Sequence, residues 1–308
     1  MIIFPHQKRA FEELLSRART FFVGDWHDLP IQPRFHSLVC GPTGTGKTAI
    51  ATQLAASLGV GILRISANSW MPCGAHKSGT RETMTEIANH VLSNEKSIIF
   101  IDELDKIWHE TSWKSYIKAE IFDLLDGRWP TGLKIENEEH DDDDGAPDET
   151  NGVTAVKGAK EEDEGTIKLR LQTFIVAAGT FQDFFEIKST GKIGFGDRQA
   201  AQKEEIDAGE IAKQLPRELT NRFNSGLIVL PALHPEHYRI LSEAAAKVLP
   251  EWILEEFRKA AGRQIEKAIA TQKGCRFVEE CILEALKFAR KPTPIVISKA
   301  DEGDGISI

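Results

Sequence analysis

The sequence predicts an α/β protein in which a parallel β-sheet carries helices on both faces and is followed by a small, entirely helical part. Segments typical of buried strands alternate with segments of helical spacing between residues 35 and 178,. A glycine-rich turn joins the first of these strands to the helix after it. From residue 235 to residue 288 the apolar residues recur at helical spacing,. Because parallel strands need long crossover connections, the alternation favours a parallel sheet.

The predicted elements follow one another in a simple order. We expect strands at residues 35–40, 59–66, 98–101 and 173–178,. We expect helices at residues 6–22, 49–58, 81–92, 238–248, 252–261, 264–270 and 277–288,. The domains predicted from this order are an N-terminal helix and linker at 1–34, an α/β core at 35–233, a helical lid at 234–294 and a flexible tail at 295–308.

Composition and charge exclude several classes of protein. No apolar run is long enough to cross a bilayer, and Pro5 interrupts the start too early for a signal sequence, so we expect a cytoplasmic protein without a membrane segment,. The four cysteines are scattered without a Cys-x-x-Cys pair, which favours reduced thiols over a zinc site or disulfides,.

An acidic segment dominates the net charge of −9. Residues 136–164 hold 13 acidic side chains and two lysines, a charge of −11, so the rest of the chain carries −9 − (−11) = +2,. Low hydrophobicity predicts a disordered insert at 136–165 within the core. A cationic partner for it is conceivable, and a solvated loop is the plainer interpretation. The nearly neutral remainder gives no indication of nucleic-acid binding.

The segment between the first strand and its helix carries the clearest chemistry. It fits Gly-x4-Gly-Lys-Ser/Thr and consists of Gly41-Pro42-Thr43-Gly44-Thr45-Gly46-Lys47-Thr48,. Glycines let the backbone curl so that N–H groups face phosphate oxygens at a helix N-terminus. Lys47 is predicted to reach the β- and γ-phosphates of ATP, and Thr48 to bind Mg²⁺. The alternative is a glycine-rich turn that binds nothing.

Two adjacent carboxylates end the strand at 98–101. Asp102 is predicted to hold the magnesium shell, and Glu103 to orient and deprotonate the water that attacks the γ-phosphate,. The alternative is an Asp-Glu pair that caps the helix beginning at Leu104.

Further landmarks follow in order at residues 98–106, 119–127, 173–181, 191–196, 215–223 and 273–276. With them, the chain from residue 35 to residue 290 resembles the AAA+ ATPases, and within these the ClpX/HslU branch of protein-unfolding motors. That resemblance implies an ATP-hydrolysing, homo-oligomeric and hexameric ring that remodels a protein substrate. In contrast to that branch, we expect no N-terminal zinc-binding domain, because only residues 1–34 precede the core.

The resemblance also implies roles for single residues. Thr180 matches a polar sensor near the γ-phosphate, and Arg222 matches an arginine finger that reaches the neighbouring subunit's nucleotide. Arg276 matches a second sensor arginine that contacts phosphate from the lid. Alternatives stay open: Thr180 could satisfy the backbone at a strand end, and Arg222 could form a salt bridge with Glu218.

Two segments differ from the family pattern or have more than one possible function. Trp70-Met71 stands where the motors carry a polypeptide-gripping loop, and it could grip substrate or form a packed corner. The segment Ile193-Gly194-Phe195 matches a loop that docks onto a peptidase ring, although these side chains could also pack locally. A second function therefore remains open: an ATP-dependent switch or matchmaker for a DNA-processing or effector partner, without threading.

Overall fold

The structure is a computed structural model that describes residues 3–73, 82–107, 114–130, 133, 164–181 and 208–291. Three predictions lie outside these residues. They concern most of the acidic insert, the segment Ile193-Gly194-Phe195, and the tail at 295–308. At the end of the predicted insert the expectation of disorder is wrong for residues 164 and 165, which begin a helix.

The strands form a parallel sheet among the described residues. They are β1 Ser37–Cys40, β2 Gly61–Ser66, β3 Ser97–Asp102, β4 Thr173–Gly179 and β5 Leu227–Val229. Their order across the sheet is β2-β3-β4-β1-β5, and every neighbouring pair is parallel. β1 lies between β4 and β5, so the segment that follows it leaves the middle of the carboxyl edge of the sheet. In parallel α/β sheets this edge is where ligands bind.

The helices of the described residues cover the sheet and form the C-terminal part. They are α1 Lys8–Val23, α2 Lys47–Leu58, α3 Thr83–Leu92, α4 Lys114–Leu125, α5 Glu164–Gln172, α6 Ala208–Gln214, α7 Arg217–Phe223, α8 Pro235–Ala246, α9 Glu251–Ala270 and α10 Arg276–Leu286. Short 3₁₀ helices lie at Pro5–Gln7, Ala67–Ser69, Leu104–Ile107 and Asn224–Gly226.

Alternate side chains of the strands pack on opposite faces of the sheet. In β3, Ile98 and Phe100 belong to the apolar cluster that contains α1 and α2, whereas Ile99 and Ile101 belong to the cluster that contains α3 and α4. All four side chains are 0–1% exposed. The near-continuous apolar run of β3 is therefore explained by burial on both faces, and the predicted α/β class with helices on both faces is confirmed.

The chain divides into two compact units, Met1–Leu233 and His234–Ile308. The second unit is helical in its described residues and packs α8, α9 and α10 around buried apolar side chains, including the fully buried Phe257. Tyr238 is also buried, and its hydroxyl accepts a hydrogen bond from the Gly274 N–H at 3.1 Å.

One prediction about this second unit is wrong. The sequence suggested two helices at 252–261 and 264–270, whereas α9 runs without a break through Gly262. A single interior glycine costs a helix only about 1 kcal/mol. The apolar stripe of α9, which buries Ile253, Phe257, Ala261 and Ala268, continues on both sides of that glycine and outweighs this cost,.

Candidate functional site

The phosphate loop leaves β1 at the carboxyl edge of the sheet and leads directly into α2, which begins at Lys47. Gly44 and Gly46 have φ angles of 80° and 89°, in the left-handed region where a side chain would strain the backbone,. These two glycines allow the sharp turn that brings the loop to the N-terminus of a 12-residue helix. The loop therefore has the geometry of an anion-binding turn.

The Lys47 side chain folds back over the loop. Its Nζ donates hydrogen bonds to the carbonyl oxygens of Gly41 at 2.7 Å and Pro42 at 3.0 Å, and the residue is 8% exposed. Backbone carbonyls thus hold the ammonium group inside the loop, where phosphate oxygens could replace them as acceptors.

The N-terminal segment also contacts the phosphate loop, which the sequence did not reveal. Gln7 is 1% exposed, and its Nε2 donates to the Thr45 carbonyl at 2.8 Å. His6 Nε2 lies 3.1 Å from the same oxygen. The Thr45 hydroxyl in turn donates to the Pro42 carbonyl at 2.9 Å. Because His6 and Gln7 are 39 and 38 positions from Thr45, no local pattern could have indicated their contacts with the loop.

The end of β3 meets the beginning of α2. The Thr48 hydroxyl donates to Asp102 Oδ2 at 2.9 Å, and Asp102 Oδ1 accepts the Glu103 N–H at 2.9 Å. A hydroxyl and a carboxylate side by side are hard oxygen ligands, which suit Mg²⁺ when substrate phosphates and water supply the rest. Among the described residues, no group of three or more His, Cys, Asp or Glu side chains could hold a metal by itself. The residues present fit a metal that is shared with a nucleotide.

Glu103 has an unusual backbone and a defined side-chain position. Its φ of 58° lies in the left-handed region, which is uncommon for a residue with a side chain,. Its Oε2 accepts hydrogen bonds from Ser66 Oγ at 2.8 Å and Asn68 Nδ2 at 3.1 Å. Ser66 and Asn68 were missed by the sequence reasoning, because they follow from the pairing of β2 with β3, in which Ser66 lies opposite Asp102.

Thr180 follows β4 and contacts an acidic residue. Its hydroxyl donates to Asp105 Oδ2 at 2.7 Å, and its N–H donates to Asp105 Oδ1 at 3.1 Å. Asp105 lies in the 3₁₀ helix after β3 and is 8% exposed. The alternative that the Thr180 hydroxyl satisfies the backbone is therefore wrong in this structure, and Asp105 is a further residue that the sequence did not single out.

Arg222 lies away from the phosphate loop of its own chain. α7 leads through residues 224–226 into β5, which runs parallel to β1, so Arg222 lies at the amino edge of the sheet. The phosphate loop begins at the carboxyl edge, and β1 alone spans about 13 Å between the two edges. The alternative, an ion pair with the Glu218 side chain, is not what forms: Arg222 Nη1 donates to the Glu218 backbone carbonyl at 3.2 Å, and Nη2 pairs with Asp126 Oδ2 at 3.0 Å.

Asp126 is the centre of an arginine cluster. Its Oδ1 pairs with Arg34 at 2.9 Å, and its Oδ2 pairs with Arg222 and, at 3.4 Å, with Arg128. Burial works to raise the pKa of Asp126, but hydrogen bonds and charges from Arg34 and Arg222 outweigh it and lower the pKa. The carboxylate is therefore ionised at neutral pH, and the pairing with Arg222 is one between full charges.

Arg276, Trp70 and the cysteines are the remaining residues about which the sequence allowed predictions. Arg276 is exposed and begins α10 in the second unit. Trp70 is 3% exposed, and its Nε1 donates to Glu120 Oε2 at 2.8 Å. Of the two interpretations of Trp70, the structure therefore contains the packed corner. The four cysteines are free in the structure, and burial with nearby carboxylates raises the pKa of Cys73 to about 12.

The parallel sheet, the loop at its carboxyl edge and the Thr48–Asp102 pair define the class: this is a P-loop nucleotide-binding fold. Comparison with known proteins narrows the class. Residues 37–129 match the family described as ATPase family associated with various cellular activities (AAA). This stretch of the chain is thus similar to the AAA ATPases.

Two proteins of Arabidopsis thaliana are similar to parts of the chain. "Cell division control protein 48 homolog B" is 29% identical over 100 residues, which are 30% of this chain and 17% of that protein. "Probable inactive ATP-dependent zinc metalloprotease FTSHI 2, chloroplastic" is 34% identical over 73 residues, 24% of this chain and 8% of that protein. The chain thus matches only a small fraction of either relative. None of the described helices is both long and apolar enough to cross a membrane.

Proposed function

We propose that this protein binds ATP with Mg²⁺ and hydrolyses it in a homo-oligomeric, hexameric ring that remodels a protein substrate. The observation that carries the proposal is the hydrogen bond between Thr48 and Asp102 beside the phosphate loop. It joins the two halves of an ATPase site that are 54 residues apart in sequence.

Each part of the site has a role in this proposal. The N–H groups of the loop would hold the phosphates, and Lys47 would exchange its carbonyl acceptors for β- and γ-phosphate oxygens. Thr48 and Asp102 would hold Mg²⁺, which neutralises phosphate charge. Glu103, positioned by Ser66 and Asn68, would orient the attacking water and accept its proton,. Thr180 would act near the γ-phosphate from its position on Asp105.

The position of Arg222 supports an assembly of subunits. Because it lies at the sheet edge opposite its own phosphate loop, we infer that it serves the nucleotide of a neighbouring subunit,. Arg276 would contact phosphate from the lid.

Two variants test the ATPase site. Lys47→Ala should lose ATP binding, because the cation that holds the phosphates is gone. Glu103→Gln should keep ATP binding and lose turnover, because only the carboxylate that orients water is changed. Isothermal titration with ATP and steady-state hydrolysis with and without Mg²⁺ would measure both effects. Equal ATP affinity in Lys47→Ala and the wild type would contradict the phosphate-loop assignment.

Mixing inactive subunits tests the assembly. Arg222→Ala and Glu103→Gln should each be inactive alone, whereas a mixture should recover part of the activity wherever an intact Glu103 meets an intact Arg222. No recovery, with both variants assembled, would contradict the role of Arg222 across an interface.

A second function is favoured by the burial of Trp70. A tryptophan held by Glu120 in the core is not available to grip a polypeptide, so an ATP-dependent switch or matchmaker for a DNA-processing or effector partner is the alternative. The Glu103→Gln variant in ATP should retain its substrate or partner, and identifying the retained protein by mass spectrometry separates the two functions. A peptidase ring retained through Ile193-Gly194-Phe195 would support the motor, and Phe195→Ala should then abolish that retention without loss of ATP hydrolysis.

A further inference from the structure

The end of α4 and the residues after it surround the Arg222 guanidinium. The Asp126 N–H donates to the Phe122 carbonyl at 2.9 Å, so the two residues are one helical turn apart and lie on the same side of the chain,. The guanidinium carbon of Arg222 lies 4.0 Å from the centre of the Phe122 ring, and Arg222 Nη2 lies 3.0 Å from Asp126 Oδ2. The contact with the ring and the ion pair together restrain the position of the guanidinium,.

The held guanidinium still has donors to offer. The Arg222 side chain is 22% exposed, so part of it reaches the surface. Nη1 donates to the Glu218 carbonyl and Nη2 to Asp126, and each of these nitrogens carries a second N–H,. Nε has no hydrogen-bond partner among the described residues but is buried, so the donors open to a ligand are the second N–H groups of Nη1 and Nη2,. An incoming phosphate could therefore bind Arg222 without displacing Asp126.

The surrounding charges favour an anion despite the Asp126 carboxylate. Arg34 and Arg128 pair with Asp126 as well, and Arg128 also pairs with Asp123 at 3.2 Å. Three guanidinium groups and two carboxylates leave the cluster with a net charge of +1. Asp126 therefore orients Arg222 without making its surroundings negative.

We propose that Asp126, assisted by Phe122, is a positioning residue that holds Arg222 ready for the nucleotide phosphate of a neighbouring subunit. This inference rests on the proposed role of Arg222 across a subunit interface. Asp126 touches no reacting atom in this proposal and acts only through Arg222.

The first test compares two carboxylates of the same helix end. Asp126→Asn removes the charge that holds Arg222, and displacement of a catalytic group should lower kcat roughly 10- to 100-fold. The KM for ATP should change little, because each subunit binds ATP through its own phosphate loop. Asp123→Asn is the matched control: Asp123 pairs with Arg128 and not with Arg222, so this variant should keep wild-type kcat.

The second test asks in which subunit Asp126 acts. Glu103→Gln/Asp126→Asn subunits mixed with Arg222→Ala subunits leave active interfaces whose Arg222 has lost Asp126. Glu103→Gln subunits mixed with Arg222→Ala/Asp126→Asn subunits contain the same number of Asp126 changes, but these lie in subunits that already lack Arg222. We expect poor recovery from the first mixture and full recovery from the second, which a general folding defect would not produce.

The outcomes separate this inference from the proposed function. Loss of activity in Arg222→Ala with normal kcat in Asp126→Asn would overturn the positioning role and leave the role of Arg222 intact. Equal recovery in the two mixtures would also overturn it. Full activity in Arg222→Ala would overturn the proposed action of Arg222 itself.

Discussion

His36 lies directly before β1 and has to remain neutral in the folded protein. Its Nδ1 accepts the Ile175 N–H at 3.1 Å, which a protonated ring nitrogen could not do,. Burial, then the charges of Arg34 and Arg17, lower the pKa of His36 from 6.5 to about 4, against an opposing effect of Asp126. In the unfolded chain the same imidazole would take up a proton near pH 6.5.

This difference predicts an acid-sensitive fold. As the pH falls below 6.5, His36 binds a proton in the unfolded state but not in the folded state. The free energy of unfolding should therefore decrease until about pH 4 and then level off,. The residue is partly buried and lines a cleft, so we expect a loss of about 2 kcal/mol rather than the full linkage value,.

Urea unfolding between pH 7.5 and 4 would measure the loss. His36→Asn, which keeps a side-chain acceptor for the Ile175 N–H but does not titrate, should start less stable and show a shallower pH dependence. An identical slope in both proteins would contradict the assignment.

Glu120 is a second residue whose hydrogen-bond partners determine how its replacement should change the stability of the protein. It is 7% exposed and accepts hydrogen bonds from Trp70 Nε1 at 2.8 Å and from the Cys73 N–H at 2.6 Å. Both partners are donors, so an amide in place of the carboxylate would turn one NH₂ group towards a donor. Glu120→Gln should lower the free energy of unfolding by about 1–3 kcal/mol.

A double-mutant cycle with Trp70→Phe isolates this interaction. Since Trp70→Phe removes the opposing donor, the double variant should lose less stability than the sum of the two single variants in urea unfolding. Strict additivity would show that the two side chains do not interact.

At the scale of elements, two glycines, Gly262 and Gly226, allow the effect of helix propensity to be distinguished from the effect of packing. Gly262 lies inside α9, and a Cβ added there would meet nothing within 4 Å. Gly226 lies before β5, and its Cβ would lie 2.2 Å from the His36 carbonyl oxygen and 2.9 Å from Arg17 Nη2. The same substitution should therefore have opposite effects at the two positions.

Gly262→Ala should stabilise the protein by about 0.5–1 kcal/mol, because alanine has the higher helix propensity. Gly226→Ala should destabilise it by about 2 kcal/mol or more, because the backbone of β5 would have to move away from β1. Thermal unfolding followed by circular dichroism tests both signs, and destabilisation by Gly262→Ala would argue against a continuous α9.

At the scale of the whole molecule, the proposed trans action of Arg222 has a kinetic consequence. A monomer whose Arg222 is at the wrong sheet edge for its own nucleotide lacks a group that is worth about 10³–10⁵ in turnover in phosphoryl-transfer enzymes. The ATPase activity per subunit should therefore rise with protein concentration and follow the molar mass measured by light scattering. A monomer with full, concentration-independent activity would contradict the ring.

Much of the architecture could be predicted from local patterns. Around the phosphate loop, the spacing of apolar residues within each short segment indicates whether it forms a strand or a helix,. The motif from Gly41 to Thr48 is continuous in sequence, so it can be recognised without knowledge of the fold,. The carboxylates Asp102 and Glu103 were found for the same reason, since they end a buried strand. Short-range patterns failed at Gly262, where α9 continues because packing of its apolar stripe outweighs the small local cost of a glycine,.

The sequence by itself determined the α/β class, the phosphate loop and the two carboxylates after β3. Only the tertiary structure decided which side chains contact the predicted site residues Glu103, Thr180 and Arg222. Ser66 and Glu103 are 37 residues apart, Asp105 and Thr180 are 75 apart, and Asp126 and Arg222 are 96 apart. Such pairs follow from the order of strands in the sheet and from the edge at which each helix ends. The physical reason is that local propensity determines an element, whereas long-range packing determines its neighbours.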